Sequence, residues 1–306
     1  MIGIEWAGER LELSAERALL WPARRTLLIA DVHLGKPAAF RAAGVPVPEE
    51  TTQRDLTRLG GLLTTTGAER VIVLGDLLHA RAGRTPVVVN TVTAWRARHR
   101  QADIVLVRGN HDLHAGDPPE AWEVRCVDEP WGVGGMRLCH RLEAGADTDA
   151  DPDAGTDADT DAATDADADA DAGTDTDTDT DAGTDADADA ATATATDAAT
   201  DPDTDAAPPP VIAGHLHPGV RLHDIDAGGG SLRCPCFVFG PRRALLPAFG
   251  SFTGLAIVRP RVDDRIFAVG PEVVEVRGRW EHRGRGRGRR RVRIGGASEP
   301  RPMGDP

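Results

Sequence analysis

The sequence contains no tyrosine, a single lysine (Lys36) and only four cysteines in 306 residues. Four thiols do not make a disulfide framework in a chain of this length, so Cys126, Cys139, Cys234 and Cys236 read as reduced, mostly buried side chains. Cys234-Pro235-Cys236 has the spacing of a metal or redox pair, but no second Cys/His pair stands at zinc-site spacing to complete it. No run of about 18 apolar residues exists, which excludes a membrane-spanning helix and makes a membrane partner unexpected. The stretch Met1 to Arg10 is polar and lacks the cationic start and apolar core of a secretory signal, so a cytoplasmic location is expected. With lysine nearly missing, arginine carries the positive charge; that bias fits a GC-rich genome and has little functional meaning by itself.

The formal net charge of −14 is unevenly spread. Residues 147–205 hold 22 aspartates and no Lys or Arg, whereas residues 277–293 hold nine arginines and one acid, Glu281. Outside these two segments the chain is close to neutral. Residues 145–209 are Asp, Thr and Ala without apolar periodicity, which predicts a disordered insertion. Residues 276–306 predict a disordered Arg/Gly-rich basic tail, a composition suited to phosphate contact and base stacking on nucleic acid. The rest, 1–144 and 210–275, is expected to form one domain. Closing a long flexible loop costs only about 0.6 kcal/mol per doubling of its length, so residues on either side of the insertion can still meet.

Residues 2–21 read as a short β-meander. Apolar strands are expected at 26–30, 71–74 and 104–107, with helices over 37–43, 49–66 (opened by Pro48, closed by Gly67) and 86–99 (Pro at its first turn). Alternating strand and helix predict an α/β layered fold with a largely parallel sheet. Short strands at 122–127, 136–140, 211–213, 219–222, 236–239, 244–246 and 255–258 predict a second, mixed sheet packed on the first.

Four polar clusters close apolar runs: Asp31-Val32-His33, Gly75-Asp76, Gly109-Asn110-His111-Asp112 and Gly214-His215-Leu216-His217. Side chains at the C-terminal ends of parallel strands converge on one crevice. Asp31 and His33, two apart in extended backbone, would point to the same side and grip one ion. His215 and His217 repeat that spacing. Asp76 offers two oxygens and can bridge two ions, and Asn110 supplies a neutral carbonyl oxygen. With no thiolate in the set, Mn, Fe, Co, Zn, Ni or Mg fit as two divalent metal ions, Mn best. A pair of such ions would activate water for an in-line phosphoryl displacement.

In this order the clusters resemble the calcineurin-like metallophosphoesterase superfamily, whose further lone histidine would be His140. More narrowly, the chain is similar to the bacterial ligase-associated DNA damage response endonucleases. The stretches that carry this likeness are Trp21 to Arg25, Asp31 to Lys36, Gly75 to His79, Pro235 to Gly240 and Leu246 to Gly254. The long Asp/Thr/Ala tract departs from that family, where the connection is much shorter. The resemblance implies a calcineurin-like sandwich, two mixed β-sheets flanked by α-helices. It implies one ion held by Asp31, His33 and His217, another held by Asn110, His140 and His215, and Asp76 between them. His111 would stand beside the scissile phosphate, with Asp112 orienting it. Arg108 and Lys36 could contact phosphate, though surface charge is the plainer reading. His79 and His114 are expected behind the ligands or facing solvent, and His99, His223 and His282 have no site context. The implied function is metal-dependent phosphodiester hydrolysis, with DNA as the nucleic-acid substrate, DNA ligase and other repair proteins as partners, and no implied oligomeric state. Two other readings stay open: a phosphatase or phosphodiesterase for small nucleotides, and a nucleic-acid-binding scaffold with an idle metal site.

Overall fold

The computed structural model describes residues 1–48, 50–142, 208–223 and 231–277. Nearly all of the expected acidic insertion and of the expected basic tail, with His282, lie outside the described residues. Two sheets pack face to face. The first runs β1 (Ile2–Trp6), β2 (Glu9–Leu13), β3 (Leu19–Trp21), β4 (Thr26–Ala30), β5 (Arg70–Leu74), β6 (Asp103–Val107) and β7 (Val124–Val127) in spatial order. The chain enters through an antiparallel meander, β1 to β4, and then adds three parallel pairs. The parallel crossovers carry α1 (Lys36–Ala42), α2 (Thr51–Thr66), α3 (Pro86–Arg98) and the single-turn helix α4 (Asn110–Ala115).

The second sheet begins with β8 (Trp131–Val133) and β9 (Met136–Cys139). It continues with β10 (Val211–Ala213), β11 (Pro218–His223), β12 (Ser231–Phe239), β13 (Arg243–Leu245), β14 (Ala256–Ile257), β15 (Arg265–Val269) and β16 (Val273–Val276). Its centre is parallel where β10 lies between β9 and β13. Strand β12 is longer than its apolar part suggests: its first half pairs with β11 and its second with β15. The hairpin β15–β16 and strand β8 escape the sequence reading, because each is short and interrupted by charge or glycine.

Period-two alternation sets the layers. Leu28, Ala30, Ile72, Leu74, Val105 and Val107 face Leu138, Ile212, Phe237, Phe239 and Phe267 of the second sheet. Their neighbours Leu27, Ile29, Val71, Val73, Ile104 and Leu106 face Leu56, Leu59, Leu62 and Leu63 of α2 and Val88, Val92 and Trp95 of α3. Each such side chain, fully buried, contributes about 1.5–3 kcal/mol of transfer free energy, so the parallel strands are anchored from both faces. Gly67 ends α2 in the left-handed region, φ 63°. Among the described residues no α-helix follows Ala115, so the helices that flank the sandwich pack on the first sheet. The outer face of the second sheet is instead its own small core of Cys139, Val220, Cys236, Val238, Leu245 and Ile266. No helix among the described residues is long and apolar enough to cross a membrane.

Candidate metal centre

Asp31 follows β4, Asp76 follows β5, Asn110 follows β6, His140 follows β9 and His215 follows β10, so both sheets direct their parallel ends to one place. Backbone bonds knit these ends together: the Asp31 amide donates to Gly75 O (3.2 Å), the His33 amide to Asp76 O (2.8 Å) and the Gly214 amide to His140 O (3.1 Å).

Local backbone corrects one expectation. Asp31 and His33 are not extended; their φ values are 52° and 50°. Asp76 (53°), His215 (68°) and His217 (45°) are left-handed too. Five of the nine described non-glycine residues with positive φ are therefore candidate ligands. Each such residue costs about 1–2 kcal/mol, and the cross-sheet bonds hold it there. The Asp-x-His and His-x-His spacings work through paired left-handed kinks, not through strand alternation.

Candidate ligand atoms gather in three groups. Asp31, His33 and His217 present atoms within 4.8 Å of one another, as do Asp76, His140 and His215, and a third group, His33, His79 and His111, shares His33 with the first. His217 Nε2 stands 3.6 Å from Asp31 Oδ1, and His33 Nε2 stands 3.8 Å from Asp76 Oδ2. His140 Nδ1 donates to Leu74 O at 3.2 Å, which leaves a lone pair on Nε2. That atom meets Asn110 Oδ1 at 3.0 Å, His215 Nδ1 at 2.9 Å and Asp76 Oδ2 at 3.4 Å. So many electron-rich atoms converge stably only around a cation. Asp31 Oδ1 and His33 Nε2 are moreover buried without a hydrogen-bond partner, as atoms kept for a metal would be. The all-N/O donor set fits divalent ions of the Mn, Fe, Co, Zn and Ni series.

Electrostatics agree. Burial, then the neighbouring His217, push His33 well below the usual imidazole range. Burial, then His140, lower His215 to about 4. Both rings are neutral at pH 7, the ligating form. Burial first, then Asp31 and Asp112, raise Asp76 to about 9. A carboxylate so placed ionises readily only beside positive charge, and a bound cation inverts the shift.

The glycines of the clusters have a shared cause. A Cβ on Gly75 would fall 2.0 Å from His140 Nδ1, one on Gly109 2.2 Å from Asp76 Oδ1, and one on Gly214 2.8 Å from Asp31 Oδ2. Each glycine makes room for a ligand from another cluster.

Around the ligands, other expectations change. Asp112 Oδ1 accepts from the Leu78 amide (2.9 Å) and Oδ2 from the Gly109 amide (3.0 Å), so its carboxylate ties two loops together. The His111 ring is set by His79 O, 2.9 Å from its Nδ1, a role expected of Asp112. The His111 amide donates to Asp76 Oδ1 at 3.0 Å. Of the two places expected for His79, the structure gives the one behind the ligands: it is 1% exposed, stacks on His111 at 4.9 Å and places Nδ1 3.2 Å from His33 Nδ1. Its signal was its place three residues after Asp76. His114 is exposed and folds back to Asn110 O at 2.6 Å. Lys36 is not surface charge but is buried, with Nζ 5.8 Å from the Phe40 ring. Arg108 is held in ion pairs with Asp117 and Asp128, both at 2.8–2.9 Å, which raises it further and accounts for it without phosphate. Glu129, which no pattern announced, accepts from the His140 and Arg141 amides at 2.6 and 2.9 Å. His99 packs on Trp95 away from the site. Burial raises the Cys234 and Cys236 thiols on β12, which makes both poor thiolate ligands.

A scan against protein-family models and a search of curated proteins return no match. Among solved structures, the chain is similar to the Pseudomonas putida nuclease MPE. The two share 33% identity over 90% of this chain and 99% of that one, with a TM-score of 0.60. With that identity spanning nearly the whole of both chains, the protein belongs to the family of this nuclease.

Proposed function

We propose that the protein is a metal-dependent nuclease that hydrolyses phosphodiester bonds, and that its substrate is DNA undergoing repair together with a ligase. The observation that carries the reading is the pair of buried ligand groups with Asp76 in contact with both. Asp31, His33 and His217 would hold one divalent ion, Asn110, His140 and His215 the other, and Asp76 both; manganese is the proposed metal. Such ions, when bound, supply Lewis-acid charge at the phosphate and acidify water.

The protein's own groups do the rest. Its buried aspartates and neutral histidines exclude bulk water and keep the ligand atoms fixed before substrate arrives. With its Nδ1 proton held on the His79 carbonyl, His111 exchanges a proton at Nε2. As the imidazolium it delivers that proton to the leaving oxygen. Asp112 keeps the loops carrying His79 and Asn110 in register. The nuclease relative supports a nucleic acid as substrate, and the sequence likeness to ligase-associated endonucleases supports DNA.

The test is a substrate panel with Mn²⁺: single-stranded DNA, duplex DNA, RNA, cyclic nucleotides and bis(p-nitrophenyl) phosphate, each with wild type, Asp76→Ala and His111→Ala. Internal cleavage of DNA that both variants lose is expected. Cleavage of the small diester without any nucleic acid would overturn the nuclease reading in favour of a small-nucleotide enzyme. No hydrolysis of anything would leave a scaffold.

A further inference from the structure

The stretch Leu246 to Gly254 contributes no ligand, yet it is held firmly against the metal centre. The Phe249 amide donates to Ala30 O at 2.7 Å and the Gly250 amide to Asp31 O at 3.1 Å. A Cβ on Gly250 would lie 2.4 Å from Val32 O, so only glycine allows this approach. From outside, Arg17 donates to Ala248 O and Gly250 O (3.4 and 3.2 Å). Arg58 donates twice to Phe249 O (3.1 Å each) and lies 4.3 Å over the Phe249 ring. Buried Asp55 accepts from the Ser251 amide at 3.0 Å and pairs with Arg58 at 2.8 Å. Three charged side chains thus fix four consecutive residues.

The next residue, Phe252, projects from this rigid base and is partly exposed. Its ring stands edge-on to Phe40 at 5.6 Å, and with His33 it borders a small cavity beneath Pro37 and Thr52. Phe40 lies 6.1 Å from His79, and His79 lies 4.9 Å from His111. A row of rings therefore runs Phe252, Phe40, His79, His111. The inner two are buried, and only the outer two reach the surface. One end is the ring proposed to protonate the leaving oxygen. The other is an apolar aromatic kept partly in water by a clamp that allows it little retreat.

We propose that Phe252 is a stacking platform for a nucleobase of the bound strand near the scissile phosphate. It would make the enzyme favour nucleic acid over small diesters. The proposal rests on the nuclease reading. Every base offers a π-face, so such a platform binds without reading sequence.

The test measures kcat and KM for the full chain with Mn²⁺ on a single-stranded oligonucleotide and on bis(p-nitrophenyl) phosphate. Phe252→Leu keeps apolar packing and removes the ring, and Phe252→Trp restores a ring. Loss of one stacked base corresponds to about a 5- to 150-fold rise in oligonucleotide KM for Phe252→Leu. The loss in kcat/KM on the small diester should be several-fold smaller, and Phe252→Trp should recover the oligonucleotide KM. Replacing one nucleotide near the cut by an abasic residue should weaken wild type and leave Phe252→Leu indifferent. Equal losses on both substrates, or an unaltered oligonucleotide KM in Phe252→Leu, would overturn the platform while leaving the nuclease intact. A wild type that hydrolyses the small diester and no nucleic acid would end both.

Discussion

Gly75 lies against the ring of His140, so closely that a Cβ on it would stand 2.0 Å from Nδ1. Gly75 also has φ 78°, a conformation that costs an L-residue about 1–2 kcal/mol. The glycine before Asp76 thus serves a histidine 65 positions later. Gly75→Ala should displace His140 from Asn110, His215 and Asp76. We expect Mn²⁺ affinity by titration calorimetry to fall about tenfold or more. An unchanged affinity would mean that His140 has room to spare.

The Asp76 shift makes a prediction about pH. Its carboxyl is raised in the fold to about 9 from an ordinary 3.8. A raised carboxyl stabilises the metal-free fold below its unfolded value, and that stabilisation is lost as pH rises toward 9. Metal-free protein should therefore lose thermal stability between pH 6.5 and 8, a window inside that interval and above the one in which His215 takes up its proton. Added Mn²⁺ should raise Tm more at pH 8 than at pH 5. Asp76→Asn should make the metal-free protein more stable at pH 8 while removing the metal response; at this size 1 kcal/mol corresponds to about 2–4 °C. A Mn²⁺ increment that is flat across pH would contradict the assignment.

The lowered histidines act at the other end. His215, near 4 in the fold against 6.5 unfolded, must charge as pH falls. Stability present above 6.5 should be lost on acidification toward 4, and Mn²⁺ binding should weaken over the same interval. Calorimetric titration at pH 7 and pH 5 checks the sign.

His79 touches two histidines of the site at once, His33 through its ring and His111 through both its ring and its carbonyl. His79→Ala removes the ring contacts and keeps the carbonyl. Partners behind a metal ligand typically contribute about 10–100-fold in affinity or activity, and a loss in that range is expected in the Mn²⁺ titration. If Mn²⁺ affinity is retained, His79 holds only the loop.

Asp55 and Arg58 form a pair whose side chains are 5% and 18% exposed, and both anchor the loop at Phe249 to Ser251. Removing one partner of a buried pair destabilises by about 3–5 kcal/mol. Asp55→Ala should lower urea-unfolding stability by an amount of that order. A loss under about 1 kcal/mol, the range of exposed pairs, would show that Arg58 is satisfied by its second partner, Glu16 at 2.9 Å, and by water.

Much of the fold and site was legible because the apolar parallel strands stop abruptly at polar clusters. Asp31, Asp76, Asn110, His215 and His217 come together where strand ends predicted convergence, and His140, which only the resemblance named, meets them there. What stayed hidden depends on contacts between distant segments. The left-handed backbone at Asp31 and His33 is held by Gly75 and Asp76 of another strand, and no local pattern announces it. Burial of Lys36 and His79 follows from how α1 and the loop after β5 pack together. Arg108 looks available in sequence because its partners, Asp117 and Asp128, meet it only in the fold. The hairpin β15–β16 is short, and its charged residues Arg265 and Glu275 pair across the strands at 2.8 Å.

The most direct measurement is the rate of bis(p-nitrophenyl) phosphate hydrolysis by chelator-stripped protein as Mn²⁺ is restored, for wild type and Asp76→Asn. We predict no turnover before metal, a saturable rise in wild type, and a rate at least about a hundredfold lower in Asp76→Asn. Turnover in the stripped protein equal to that with Mn²⁺, or an Asp76→Asn variant as fast as wild type, would contradict the metal centre described here.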